Sequence, residues 1–217
     1  MVKSAYICMI LNSIIILFLF IIRTIYMQIA VYFGSFNPFH LGHLRLAEQV
    51  LSMQLVDELW FVVSPQNPLK DSHDYVPAAI KLEILQLSIK EYPAMKASAI
   101  EFQMPIPSYT IDSLQRLTDL YPQHQFSLLI GSDNAVIFHQ WKNYQQILDN
   151  YPVFVYPRRG YDFQSVAQQY PQMQLLHTPY YDISSTEIRN AIKQGKDIAA
   201  FVHPAVKEYI VENGLYG

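Results

Sequence analysis

Two histidines, His40 and His43, stand three residues apart in the stretch YFGSFNPFHLGHLRLAEQVL (Tyr32–Leu51). That spacing puts both rings on one face of a helix that begins at the same place. Gly34, Ser35, Phe36, Asn37 and Pro38 come just before, after an apolar run, and Gly42 separates the pair. Gly and Ser let backbone amides approach an anion closely. The open end of a helix adds free N–H groups and positive potential. Two imidazoles there can donate hydrogen bonds to phosphoryl oxygens. The bland alternative is a Gly/Pro turn followed by two polar residues at a helix start.

Further along, ISSTEIRNAI (residues 183–192) carries an S-x-x-E capping box, Ser184 with Glu187. Capping alone would need no more. Ser185, Thr186 and Arg189 add hydroxyls, free N–H groups and a guanidinium, a set that suits a polyphosphate. In GSDN (131–134), Asp133 can accept from a ribose hydroxyl, hold Mg²⁺ indirectly, or simply cap a helix. Trp141 can stack on a flat ring or fill a core. Lys70 in SPQNPLK, Tyr109 and Thr110 in PSYT, and Arg158 and Arg159 in YPRRG are weaker signals that together would line a crevice with cations and hydroxyls. No carboxylate cluster points to a protein-held metal, and no Ser–His–Asp order points to a covalent nucleophile.

These residues need a frame. Apolar runs at 28–33, 58–64, 125–131, 152–157 and 173–178, with an alternating run at 96–102, predict six strands. Amphipathic segments at 41–53, 78–89, 110–121, 185–195 and 204–214 predict helices, the last two ending at Gly. In the first, Leu44, Ala47, Val50 and Leu51 form the packing face. Buried strands alternating with helices imply parallel pairing with both faces covered, hence a doubly wound α/β sheet. Ligands in such sheets bind beyond the carboxyl ends of the strands. The segments at Gly34–His43, Gly131–Asp133 and 178–187 all follow strands and so fall at that edge.

The 217 residues are half hydrophobic, enough for one ordinary domain with a sizeable core. A net charge of −3 weighs against a general nucleic-acid binder. The single cysteine, Cys8, rules out an intrachain disulfide and fits a reducing compartment. Residues 1–26 differ from the rest. Ala5–Ile22 is apolar apart from Asn12 and Ser13, and as a helix would span about 27 Å, close to a bilayer core. Three readings stand: a membrane helix, a signal peptide without its usual cleavage site, or a translated leader upstream of a true start at Met27. The short distance from Ile22 to the first strand favours the third, with a cytoplasmic working protein. Association with a membrane then depends on whether 1–26 is translated. Assembly into a homo-oligomer stays open.

GSFNPFHLGH resembles the G-[GST]-F-[ND]-P-x-H-x-G-H signature of the nucleotidyltransferase superfamily, and ISSTEIR resembles its second signature, I-S-S-T-x-I-R. With PSYTIDSL, LLIGSDN, the later Trp141, RRG and VHPAVKEYIVENGLY in the same order, Met27–Gly217 resembles the bacterial nicotinate-nucleotide adenylyltransferases. The resemblance implies a Rossmann-like nucleotidyltransferase fold. It also implies transfer of AMP from ATP to nicotinate mononucleotide, a step of NAD biosynthesis, with Mg²⁺ held mainly by the ATP phosphates. Carried onto this chain, His40, His43 and Arg189 are the catalytic residues. Ser185 and Thr186 hold the triphosphate with Arg189. Gly34, Ser35 and Phe36 meet the nucleotides through backbone, and Asp133 meets a ribose. Lys70, Thr110, Trp141 and Arg158 bind the mononucleotide. The family loop P-P-H-K reads NPLK here, so Lys70 is kept and Leu69 replaces a histidine; the leader has no counterpart. Two rivals are a phosphopantetheine adenylyltransferase, usually shorter and without the PSYT and Trp141 neighbourhood, and a membrane-tethered nucleotide-binding protein without activity.

Overall fold

A computed structural model of the chain describes residues 26–65 and 76–217. The expected leader helix and Lys70 lie outside the described residues. Six strands, β1 (Gln28–Gly34), β2 (Glu58–Val63), β3 (Met95–Ser98), β4 (Gln125–Gly131), β5 (Val153–Tyr156) and β6 (Gln174–Leu175), form one sheet in the order β3-β2-β1-β4-β5-β6. Every pairing is parallel. This is the doubly wound sheet that the alternation predicts. The order reverses between β1 and β4, where a crevice opens beyond the strand ends.

Alternate residues of the central strands feed two cores. Ala30, Tyr32, Leu59, Phe61, Leu129, Phe154 and Tyr156 face one way. They pack with α1 (Leu41–Ser52), α2 (Ala78–Ile89), α7 (Ser185–Lys193) and α8 (Pro204–Glu212). Ile29, Val31, Trp60, Val62, Leu128, Ile130, Val153 and Val155 face the other. That layer is α3 (Thr110–Leu120), α4 (Ser132–Val136), α5 (Tyr144–Asn150) and α6 (Phe163–Gln169), the first three through Ile111, Leu114, Leu117, Ala135 and Ile147. Among the described residues no helix is long and apolar enough to cross a membrane.

Three departures from the sequence reading bear on the site. The run expected to be a strand through residue 102 leaves the sheet at Ser98. The Ser98 hydroxyl oxygen accepts from the Ile100 N–H (3.3 Å), and Ile100–Gln103 turn into a 3₁₀ helix. The last strand shrinks to Gln174–Leu175, so the segment carrying Thr178 to Ser184 is free to cross back over the sheet edge. The chain between β4 and β5, where the sequence reading named only a possible helix cap at Asp133, folds as α4, a short 3₁₀ turn at Phe138–Gln140 and α5.

Candidate active site

Beyond β1 the chain turns at Ser35–Pro38 into α1. Phe36 takes a left-handed backbone, φ 44°, which costs a non-glycine residue about 1–3 kcal/mol and persists only where surroundings impose it. Those surroundings are aromatic. The Phe36 ring is buried against Tyr32, Phe39, Phe61 and His43, with centroids 5.1–5.7 Å away. Gly34 makes room for it, since a Cβ there would sit 2.9 Å from the Phe36 ring.

His40 caps α1 and His43 lies in its first turn. The two rings stack, centroids 3.6 Å apart at 25°, and the His43 Nδ1 accepts from the His40 backbone N–H (3.3 Å). The shared helical face expected from the spacing is thus realised as direct ring contact. The His40 side chain is buried, and its Nδ1 has no hydrogen-bond partner among the described residues. Burial, and secondarily the nearby Arg158 guanidinium, pushes its pKa down to about 3. His40 is therefore a neutral imidazole near pH 7, a polar group but not a cation. An unpaired buried polar atom costs free energy that an incoming ligand can return. Gly42 keeps the ring in place: a Cβ there would lie 3.0 Å from His40 Nδ1 and 3.4 Å from Ile183 Cβ.

The start of α7 docks on this turn. Ser184 and Glu187 form the capping box, the Ser184 oxygen accepting from the Glu187 N–H and the Glu187 carboxylate from the Ser184 N–H (both 3.2 Å). The Ser185 hydroxyl donates to the Pro38 carbonyl (2.9 Å), and Arg189 Nη1 donates to the Asn37 carbonyl (2.9 Å). Arg189 also reaches the Thr186 hydroxyl (3.3 Å). The Tyr216 hydroxyl, almost at the end of the chain, donates to the Asn37 side-chain oxygen (2.8 Å). Residues far apart in sequence are so joined into one frame around Asn37–Pro38.

Two cavities open at the crevice. The smaller, about 30 Å³, is lined by His40, Gly42, His43, Arg158, Tyr156 and Ile183 among others. The larger, about 360 Å³, runs between the ends of β1 and β4 and is lined by Gly34, Tyr109, Thr110, Asn134, Trp141 and Lys142 among others. Tyr32 lines both. Thr110 and Trp141 line the same cavity, and Trp141 is half-buried with its ring 5.1 Å from Phe138. Arg158, expected beside them, lines the histidine cavity instead. Its Nε lies 3.6 Å from Asp133 Oδ1, and its backbone N–H donates to the Ser132 hydroxyl (2.9 Å).

Some lining groups were not anticipated. Tyr32 and Tyr156 read as strand core and nothing more. Glu101 read as a strand residue. It is buried, and its carboxylate accepts from the Ser108 and Ser113 hydroxyls (both 2.7 Å), which pins the PSYT segment at the mouth of the larger cavity. Glu101 falls in phase with Ala97 and Ala99 in that alternating run, and a carboxylate on their side was the available signal.

The cytidylyltransferase-like family model matches residues 31–191. A Flavobacterium johnsoniae protein named "Probable nicotinate-nucleotide adenylyltransferase" is 41% identical over 191 residues, covering 88% of this chain and 99% of its own length. A Bacteroides fragilis protein of the same name is 42% identical over 182 residues, covering 84% and 90%. The chain belongs to the nicotinate-nucleotide adenylyltransferase family. A Plasmodium falciparum nicotinic acid mononucleotide adenylyltransferase, solved in complex with NaAD, shares the fold at a TM-score of 0.75 and 20% identity, over 87% of this chain and 97% of its own. Within this adenylyltransferase family member, both motif segments, the stacked histidines and the Arg189 anchor lie inside the matched region.

Proposed function

We propose that the protein transfers AMP from ATP to nicotinate mononucleotide, giving nicotinate adenine dinucleotide and pyrophosphate. The observation that carries this is the pair of cavities meeting at Tyr32. One carries imidazoles and a guanidinium suited to phosphate, and the other an aromatic wall with polar groups suited to a pyridine nucleotide. The mononucleotide lies in the larger cavity, its ring against Trp141 and near Thr110. The ATP phosphates lie along His40, His43 and Arg158, with the helix start at Ser185 and Thr186 and the Arg189 guanidinium toward the tail. Gly34, Ser35 and Phe36 supply backbone, and Asp133 meets a ribose hydroxyl.

A phosphate oxygen of the mononucleotide attacks the α-phosphorus of ATP in line. The new O–P bond forms as the bond from the α-phosphorus to the bridging oxygen breaks, and pyrophosphate leaves with that electron pair. Charge grows on the α-phosphoryl oxygens and on the leaving group. Preorganised donors aimed at that charge lower the barrier, without a covalent intermediate. Neutral His40 and the His43 ring offer N–H donors, and Arg158 and Arg189 offer fixed positive charge. Among the described residues no three His, Cys, Asp or Glu side chains come together. This donor set does not fit a protein-held ion, so Mg²⁺ belongs to the ATP substrate complex, ligated by phosphates.

Pyrophosphate release with ATP and nicotinate mononucleotide tests the reading, with nicotinamide mononucleotide and phosphopantetheine as competitors. Turnover is expected with the nicotinate form, faster than with the amide. Absence of turnover with any mononucleotide would overturn the enzyme assignment.

A further inference from the structure

The hydroxyls of Tyr32 and Tyr156 share a 2.8 Å hydrogen bond, both side chains buried. The residues sit on β1 and β5, with β4 between them, so the pair reaches across a whole strand. What lets it reach is Gly131 at the end of β4. A Cβ there would lie 3.1 Å from Tyr156 Cζ and 3.1 Å from Arg158 Cγ, and would collide with the Asp133 carboxylate. The Arg158 guanidinium lies 5.7 Å from the Tyr156 ring centre, in cation–π reach of it. Arg158 Nε and Asp133 Oδ1 are buried and have no hydrogen-bond partner among the described residues.

The core does not require these hydroxyls. Two phenylalanines would fill the same volume with no polar atom to satisfy, and replacing both members of a buried hydrogen-bonded pair by apolar groups of the same shape is close to neutral. Nor do they serve as acids or bases: burial raises both phenols above the usual range. Their place is the informative feature. Tyr32 lines both cavities, Tyr156 the histidine cavity, and Arg158 leans on Tyr156.

We infer that Tyr32 and Tyr156 are positioning residues of adenylyl transfer, their shared hydrogen bond holding the Arg158 guanidinium at the wall between the two cavities, where the mononucleotide phosphate must meet the ATP α-phosphate. The inference rests on the adenylyltransferase reading above. The order of contacts is Tyr32 to Tyr156, Tyr156 to Arg158, and Arg158 to the phosphate. Removing either hydroxyl leaves the positive charge present but loosely aimed.

The test uses the full chain with Y32F, Y156F, Y32F/Y156F, R158K and R158K/Y156F. Melting temperature is measured beside kcat and KM for ATP from pyrophosphate release. Y156F strands the Tyr32 hydroxyl and lowers the melting temperature; Y32F/Y156F recovers it. The double variant still loses kcat by about tenfold, because rings no longer tied to each other hold the guanidinium less firmly, while KM for ATP stays within about twofold. In the R158K background, Y156F brings no further loss of kcat. The inference is overturned if kcat recovers together with stability in the double variant, or if the Y156F and R158K losses multiply. A wild-type chain that releases no pyrophosphate overturns the activity itself, and the inference with it.

Discussion

Lowering the pH from 7 to 5 should destabilise this protein through His40, by an amount that follows from its surroundings. In the unfolded chain its imidazole titrates near 6.5, whereas in the folded protein burial and the Arg158 guanidinium push the pKa down to about 3. The unfolded state therefore binds the proton first as pH falls. Stability is fully present above about 6.5 and is lost from there down through about 3. At pH 5 the gap in play is about 1.5 pH units at 1.36 kcal/mol each, or about 2 kcal/mol. His40 is 6% exposed, so solvent screens this little. The assay is urea unfolding of wild type and H40Q at pH 7 and pH 5. Carboxylates and other histidines titrate in both chains and cancel in the difference. Wild type should lose about 2 kcal/mol more than H40Q over that interval. Equal losses, within about 0.5 kcal/mol of each other, would show that His40 is not held neutral, and the reading of His40 as a buried, uncharged imidazole would fail.

His43→Ala should cut kcat by roughly 10²–10³, the loss of one preorganised donor to developing charge. It should also lower the melting temperature, because the ring packs on Phe36 and Phe39 and stacks on His40; a kcat within about threefold of wild type in steady-state assays would remove His43 from the catalytic set. Trp141→Ala should raise KM for the mononucleotide more than for ATP, since its ring lines only the larger of the two cavities; equal effects on both substrates would count against a pyridine-side role. Gly131→Ala should cost about 1–3 kcal/mol in chemical denaturation and most of the activity, because the new methyl meets Asp133, Arg158 and Tyr156 together; an unperturbed variant would mean that those side chains do not converge as described.

Much of the architecture is legible in local pattern. Apolar runs bounded by Gly and Pro mark the strands, and the Ser184–Glu187 box and the left-handed Gly195 and Gly214 mark the ends of the last two helices. The two motif segments could be placed at one sheet edge, because α/β alternation puts every strand end on the same side. The packing face of the first helix was only partly visible. Leu46 is fully buried where Leu51 is not, and His43, legible only as a polar motif residue, packs among aromatics. What pattern could not reach is contact across the sheet. Tyr32 and Tyr156 are 124 residues apart, and only the reversal of strand order at β1 and β4 brings their hydroxyls together. The same reversal sets Arg158 beside His40 rather than Trp141, and it buries His40 deeply enough to keep it neutral. Side-chain chemistry and the period of the chain are local properties carried by neighbouring residues. Which charge faces which ring, and how dry that place is, depends on strands adjacent in space but distant along the chain, and that was decided by the tertiary fold.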